Sequence, residues 1–289
     1  MKRIALVGLL FIGLVSSSKA APPQQLWQLT GFANPESALA DVKASVIYVS
    51  NIDGAPDAKD ANGYVSKVSL DGKMIAAKWA TGMNAPKGLA LANGKLYAAD
   101  IDELIEIDTK DGKVVNRYPA KDAKFLNDVA AGPDGAVYVS DTFANTIWRF
   151  ADGKFEVWLT DTRLESPNGL LVEGDELRVA GFGTLPDRKN GTAAVPGHLL
   201  SVNLKTKAIS ALPNHAFAGQ LDGLEPLSRD TYIVTDWLAG KVMRDGKDGK
   251  VETLLELSQG SADAGYDPAS KTFYVPQMLK NTLSAYKLE

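Results

Sequence analysis

FLNDVAAGPDGAVYVSD, residues 125–141, decides the fold together with the segments C-terminal to it: Thr146-Ile147-Trp148-Arg149-Phe150, the turn Ala151-Asp152-Gly153-Lys154, and Phe155-Glu156-Val157-Trp158-Leu159. Four short runs of strand-forming residues alternate by twos and are separated by turn residues. Asp-Gly between two such runs is a strong hairpin signal. The stretch therefore predicts four antiparallel strands laid side by side.

The same figure returns along the chain. Segments opening at Asn34, Ala85, Phe125, Ser166, Gln220 and Ser261 share a small-residue turn, a short apolar strand, a second turn and a strand centred on Tyr48, Tyr97, Tyr138, Arg178, Tyr232 and Tyr274. The residue after each leading Pro, Leu or Ala is Glu36, Lys87, Asn127, Asn168, Asp222 and Asp263, at steps of 51, 40, 41, 54 and 41 residues. A period near 40 holds four ordinary strands and their turns, which is one propeller blade. The chain is thus expected to be all-β, a single six-bladed β-propeller over residues 21–289. Leu26-Trp27-Gln28-Leu29 lies where a blade's fourth strand would end, yet no blade precedes it. It should pair with the last blade, close the ring and cover two sheet edges. A two-sheet sandwich would not require one polar position to recur six times.

Lys2 and Arg3, an apolar run from Ile4 to Val15 and the small residues up to Ala20 read as a signal peptide over 1–20. The run is too short to span a bilayer. A periplasmic or secreted protein with no membrane attachment after cleavage is expected. The chain has no cysteine, which excludes disulfides, thiol catalysis and a lipid-bearing cysteine. A net charge of −4 with both signs interspersed gives no footprint for nucleic acid. The partner expected is a small molecule at the channel mouth; oligomeric state is not readable.

The first strand of each propeller blade lines the central channel, so the recurring polar residues should meet at one mouth. Gathered carboxylate and amide oxygens suit a hard cation such as Ca²⁺, and three carboxylates in one channel call for a positive charge among them. Lys87 could be that charge, giving a salt-bridge network in place of a metal. A third reading is that the Asn and Asp residues serve only the turns. Asp100, Asp141 and Asp236, which end second strands, are expected to cap turns. His198 and His215 are expected to be structural. The insertion 182–197 could cover the channel, with Arg188 and Lys189 toward a ligand.

Pro35-Glu36-Ser37, Leu126-Asn127-Asp128, Ser166-Pro167-Asn168-Gly169-Leu170 and Leu221-Asp222-Gly223-Leu224-Glu225-Pro226 resemble, in this order, motifs of the gluconolactonase, regucalcin and senescence-marker-protein family. Paraoxonases and strictosidine-synthase-like propellers show a more distant likeness. The resemblance implies a metal-dependent hydrolase of a lactone or related ester. It assigns one divalent cation, commonly Ca²⁺, to Glu36, Asn168 and Asp222, a substrate contact to Asn127, and a catalytic base to Asp222. Lys87 and Asp263 fall outside that pattern and are assigned here to substrate binding and to proton transfer alongside Asp222. The rival reading is a non-catalytic binding or scaffold propeller whose channel holds a structural ion or the Lys87 network.

Overall fold

A computed structural model describes residues 22–187 and 189–288; the leader expected over 1–20 lies outside them. Among the described residues the strands form six sheets. Blade 1 runs Pro35–Asp41, Val46–Asn51, Gly63–Ser69 and Met74–Met83, and blade 2 runs Pro86–Ala92, Lys95–Asp100, Glu103–Asp108 and Val114–Pro119. Blade 3 is the opening stretch of sequence, as Leu126–Ala131, Val137–Asp141, Thr146–Ala151 and Lys154–Thr160. Blade 4 comprises Pro167–Glu173, Glu176–Gly181, Gly197–Asn203 and Ile209–Ala211, with the short Ala218–Gly219 paired beside its third strand. Blade 5 comprises Leu221–Ser228, Thr231–Asp236, Lys241–Gly246 and Val251–Glu256.

Blade 6 takes three strands from the C-terminus, Gly265–Asp267, Thr272–Gln277 and Thr282–Lys287, and its outermost strand from the N-terminus, Gln24–Thr30. That strand pairs antiparallel, Leu29 opposite Leu283 and Thr30 opposite Thr282. The ring therefore closes with hydrogen bonds between the two ends of the chain, as the unpaired N-terminal strand predicted. Each inner strand touches the inner strands of both neighbouring blades.

The core is not one mass but a set of apolar layers between successive blades. Tyr97, Leu104, Val129, Val137 and Trp148 fill the layer between blades 2 and 3; Tyr138, Leu170, Leu177 and Val179 fill the next. Because each blade packs on both faces, second strands such as Val46–Asn51 and Lys95–Asp100 are buried almost along their length, and exposed residues interleave with half-buried ones in outermost strands such as Gln24–Thr30 and Lys154–Thr160. The tyrosines recur as expected with one correction. Strand register places Ile233, not Tyr232, level with Tyr48, Tyr97 and Tyr138, because it sits three residues before the Asp236 that pairs with Leu221. Tyr232 points back into the layer between blades 4 and 5, where Arg178 stands in the tyrosine position. Its hydroxyl donates to Glu173 Oε2 at 2.8 Å, and Arg178 donates to the same oxygen.

Candidate active site

In five blades the inner strand enters paired to the last residue of the second strand: Pro35 with Asn51, Pro86 with Asp100, Leu126 with Asp141, Pro167 with Gly181 and Leu221 with Asp236. Three residues further on, the partner has moved back by only two, so each strand carries a bulge at the recurring polar position. A bulge breaks the alternation and re-aims a side chain. Where it leaves an amide unpaired, a hydroxyl answers: Ser37 N–H donates to Ser50 Oγ, Asp128 N–H to Ser140 Oγ and Gly223 N–H to Thr235 Oγ1. The aspartates ending the second strands cap the entry turns. Asp100 accepts from the amides of Asn84 and Ala85, and Asp141 from those of Lys124 and Phe125.

The bulges gather Glu36, Lys87, Asn127, Asn168 and Asp222 in one cavity of about 200 Å³ at a mouth of the channel. All five are buried. Asp263 does not join them. Ser261 pairs with Gln277 as Pro35 pairs with Asn51, so Ala262 is the sixth member of the ring and Asp263 stands one residue deeper, level with Ser37. There Asp263 Oδ2 accepts from Ser37 Oγ at 2.6 Å, and its backbone bonds to that of Glu36 and Ala38. It faces the other end of the channel with Asp128 and Glu225. An alignment on small residues slips here because blade 6 opens Ser-Ala-Asp, one residue short of the Pro or Leu that marks the other strands.

Three oxygens in the mouth have no hydrogen-bond partner: Glu36 Oε2, Asn127 Oδ1 and Asp222 Oδ1. Buried polar atoms are almost always satisfied, so orphans converging on one cavity point to a ligand. Asn127 is held in the orientation that presents its oxygen. Its Nδ2 donates to Thr142 Oγ1 at 3.1 Å, and Thr142 Oγ1 donates in turn to the Pro167 carbonyl at 2.9 Å. Burial first, then the Asp222 and Asp263 charges, push the Glu36 carboxyl well above the ordinary range, while Lys87 pulls it down. Burial, Asp263 and Asp236, in that order, push Asp222 up. Two crowded carboxyls and two amide oxygens fit a hard divalent cation, which would restore the carboxylates to their charged form.

Lys87 is 1% exposed. It enters none of the ion pairs among the described residues; its Nζ donates to the Ala85 carbonyl and sits 4.3 Å from the centre of the Phe125 ring. Burial lowers its pKa to about 8 against the opposing pull of Glu36, Asp100 and Asp57. Among the described residues Lys87 therefore feels Glu36, Asp100 and Asp57 through their charge and not through a direct ion pair.

Above the polar floor the wall is apolar, formed by Ile52, Pro56, Phe125, Phe143, Phe182, Leu185, Trp237 and Met278. The sequence carried a signal for these residues. The position following each second strand is Ile52, Ile101, Thr142, Phe182, Trp237 and Met278, apolar in all blades but one. The insertion 182–197 does reach the mouth, through Phe182 and Leu185; Arg188 lies outside the described residues and Lys189 is not in the lining. The histidines stand elsewhere. His198 meets Glu165 at 2.9 Å, and His215 lies buried at 3.0 Å from Asp245.

No protein-family model matches the chain. Among curated proteins, 77 residues are 38% identical to peptidyl-glycine alpha-amidating monooxygenase B of Xenopus laevis, a match that takes in 25% of this chain and 9% of that protein. Among solved structures the fold is similar to a gluconolactonase from Xanthomonas campestris, with a TM-score of 0.66 and 16% identity over 93% of this chain and 95% of that one. The chain is a six-bladed β-propeller. Virginiamycin B lyase from Staphylococcus aureus shares the architecture too, with a TM-score of 0.61 and 14% identity over 92% of this chain and all 100% of that one. Such identities speak for the fold; the chemistry rests on the mouth itself.

Proposed function

We propose that this propeller is a divalent-cation-dependent hydrolase of lactone or related ester bonds, acting at the mouth lined by Glu36, Lys87, Asn127, Asn168 and Asp222. The observation that carries the reading is the set of three buried, partnerless oxygens on Glu36, Asn127 and Asp222 in one cavity. Glu36, Asn168 and Asp222 would hold the cation, Ca²⁺ first among the candidates, and Asn127 Oδ1 is aimed to share in it or to meet substrate. A cation bound there would polarise the ester carbonyl and stabilise its developing negative charge.

The chain's own residues divide the remaining work. Thr142 fixes the Asn127 amide, so that one oxygen is offered to the cavity without rearrangement. Asp222, restored to its charged form by a bound cation, would take the proton of the attacking water. Asp263, outside the cavity lining, is not in place for that step and acts on Glu36 and Asp222 through its charge. Lys87, buried beside the floor and free of a carboxylate partner, is available to a substrate oxygen. The apolar wall surrounds the polar floor with side chains that would hold the substrate over it. The leader expected over 1–20 would send the protein to the periplasm or out of the cell.

The test is a panel of lactones and aryl esters hydrolysed by purified protein with Ca²⁺, after chelation, and as Asp222→Ala. Turnover that needs the cation and falls at least about a hundredfold in the variant is expected. Turnover undiminished in Asp222→Ala would remove the residue from its role, and absence of turnover across the panel would leave the propeller a binding module.

A further inference from the structure

The wall of the mouth says what kind of molecule fits it. Phe125, Phe143, Phe182, Leu185, Trp237 and Met278 surround the polar floor. Two of them stand far into solvent, Phe143 at 65% and Leu185 at 46% exposed. Large apolar side chains left in water around a concave site mark a surface that a ligand covers.

The collar is built and held in place. Phe143 leans on Phe125 with ring centres 4.7 Å apart, and Phe182 lies 6.5 Å from Trp237. The loop carrying Phe182 and Leu185 is pinned by Gln220, whose Nε2 donates to the carbonyls of Thr184 and Val195. Backbone bonds from Gly183 to Glu165 and from Thr184 to Val195 fix its base. Five blades contribute to the wall just after their second strands, through Ile52, Phe143, Phe182, Trp237 and Met278, with Phe125 added from the entry to an inner strand, so the collar is a product of the repeat and not of one loop.

Polar groups in the collar are few. Thr142 has its hydroxyl committed to Asn127 and Pro167, and Trp237 is the one other residue of the apolar wall whose side chain carries a hydrogen-bonding group. Hydroxyls of a polyhydroxylated ring that reach past the floor into the collar would be left without partners, each at a cost of affinity. An alkyl or aryl group would instead exchange water for apolar contact.

From this we infer that the mouth takes a lactone or ester bearing an aliphatic or aromatic substituent, and rejects polyhydroxylated sugar lactones. The substituent lies against Phe143 and Leu185 while the polar ring meets the floor. The chemistry of the ring rests on the hydrolase reading; the recognition of the substituent does not.

Binding and turnover of one ligand series separate the two. Isothermal titration of Ca²⁺-loaded protein with γ-butyrolactone, γ-hexalactone, γ-octalactone and γ-decalactone, and with glucono-δ-lactone, is compared with the Phe143→Ser/Leu185→Ser variant, whose two sites are exposed and whose folding is checked by melting. Kd is expected to fall roughly fourfold for each methylene added until the cavity is filled. The double variant flattens that slope, and glucono-δ-lactone binds more weakly than γ-octalactone. Equal or tighter binding of glucono-δ-lactone, a wild-type Kd indifferent to chain length, or no binding by any member overturns the inference. Ligands bound along the expected slope but never hydrolysed would sustain it and defeat the hydrolase reading. Lactones hydrolysed with no dependence on chain length would do the reverse.

Discussion

Replacing Gly169 by alanine tests how the mouth is assembled. Gly169 follows Asn168 in the bulge of blade 4, and a Cβ added there would lie 2.1 Å from the Asp222 carbonyl oxygen and 3.2 Å from the Ala180 Cβ, where ordinary contacts begin at 3.4 Å. The inner strands of blades 4 and 5 must separate by roughly 1 Å to admit it, which carries Asn168 and Asp222 apart. Overpacking of this kind costs about 1–3 kcal/mol. A misplaced ligand pair lowers metal affinity by roughly tenfold to a hundredfold. Thermal melting should therefore show a loss of several degrees, and Ca²⁺ titration a weakened site. Gly169→Ala with wild-type melting and wild-type affinity would refute the idea that backbone proximity between neighbouring inner strands sets the spacing of the ring.

Thr142→Val removes the acceptor for Asn127 Nδ2 and the donor to Pro167, so it should destabilise by about 1–3 kcal/mol in denaturant melts and weaken Ca²⁺ binding, whereas Thr142→Ser keeps both; equal behaviour of the two variants would mean the hydroxyl is idle. Trp27→Ala takes away the indole that donates to the Leu70 carbonyl and packs 5.9 Å from Tyr274, and should cost about 3 kcal/mol by loosening the closing strand, read as faster proteolysis at the N-terminus. Asp263, pushed up to about 6 by burial, binds a proton more tightly folded than unfolded, so its contribution is full below about pH 4 and is lost as pH rises through about 6. Without added cation, Asp263→Asn should consequently gain on the wild type by about 2 kcal/mol between pH 4 and pH 8, allowing for the solvent that reaches Asp263 from the far end of the channel; a gain that is the same at both pH values would contradict this.

The architecture was legible because the blade repeat writes itself into turns and alternation: Asp152-Gly153 sits in the expected hairpin turn, and Leu29 meets Leu283 at the seam. Five of the six ring residues were legible for the same reason. The sixth was not, since Asp263 can be told from a ring residue only by the pairing of Ser261 with Gln277, a contact between strands. Tyr232 misled in the same way, by one residue. The Thr142 relay could not be read because its partners lie 15 and 25 residues away in two blades. The apolar collar was available in the repeat, directly after each second strand, but aromatic residues there look like core until the channel is seen to open beside them.

What we propose at the centre of this account is that Glu36, Asn168 and Asp222 would hold one divalent cation at the mouth, with Asn127 Oδ1 beside it. Calorimetric titration of chelated, dialysed protein with Ca²⁺, alongside Glu36→Gln and Asp222→Asn, measures it most directly. One cation per chain, a raised melting temperature on binding, and loss of both in each variant are predicted. A wild-type protein that binds no Ca²⁺, Mg²⁺, Mn²⁺ or Zn²⁺ at millimolar concentration, and melts unchanged in their presence, would contradict the account.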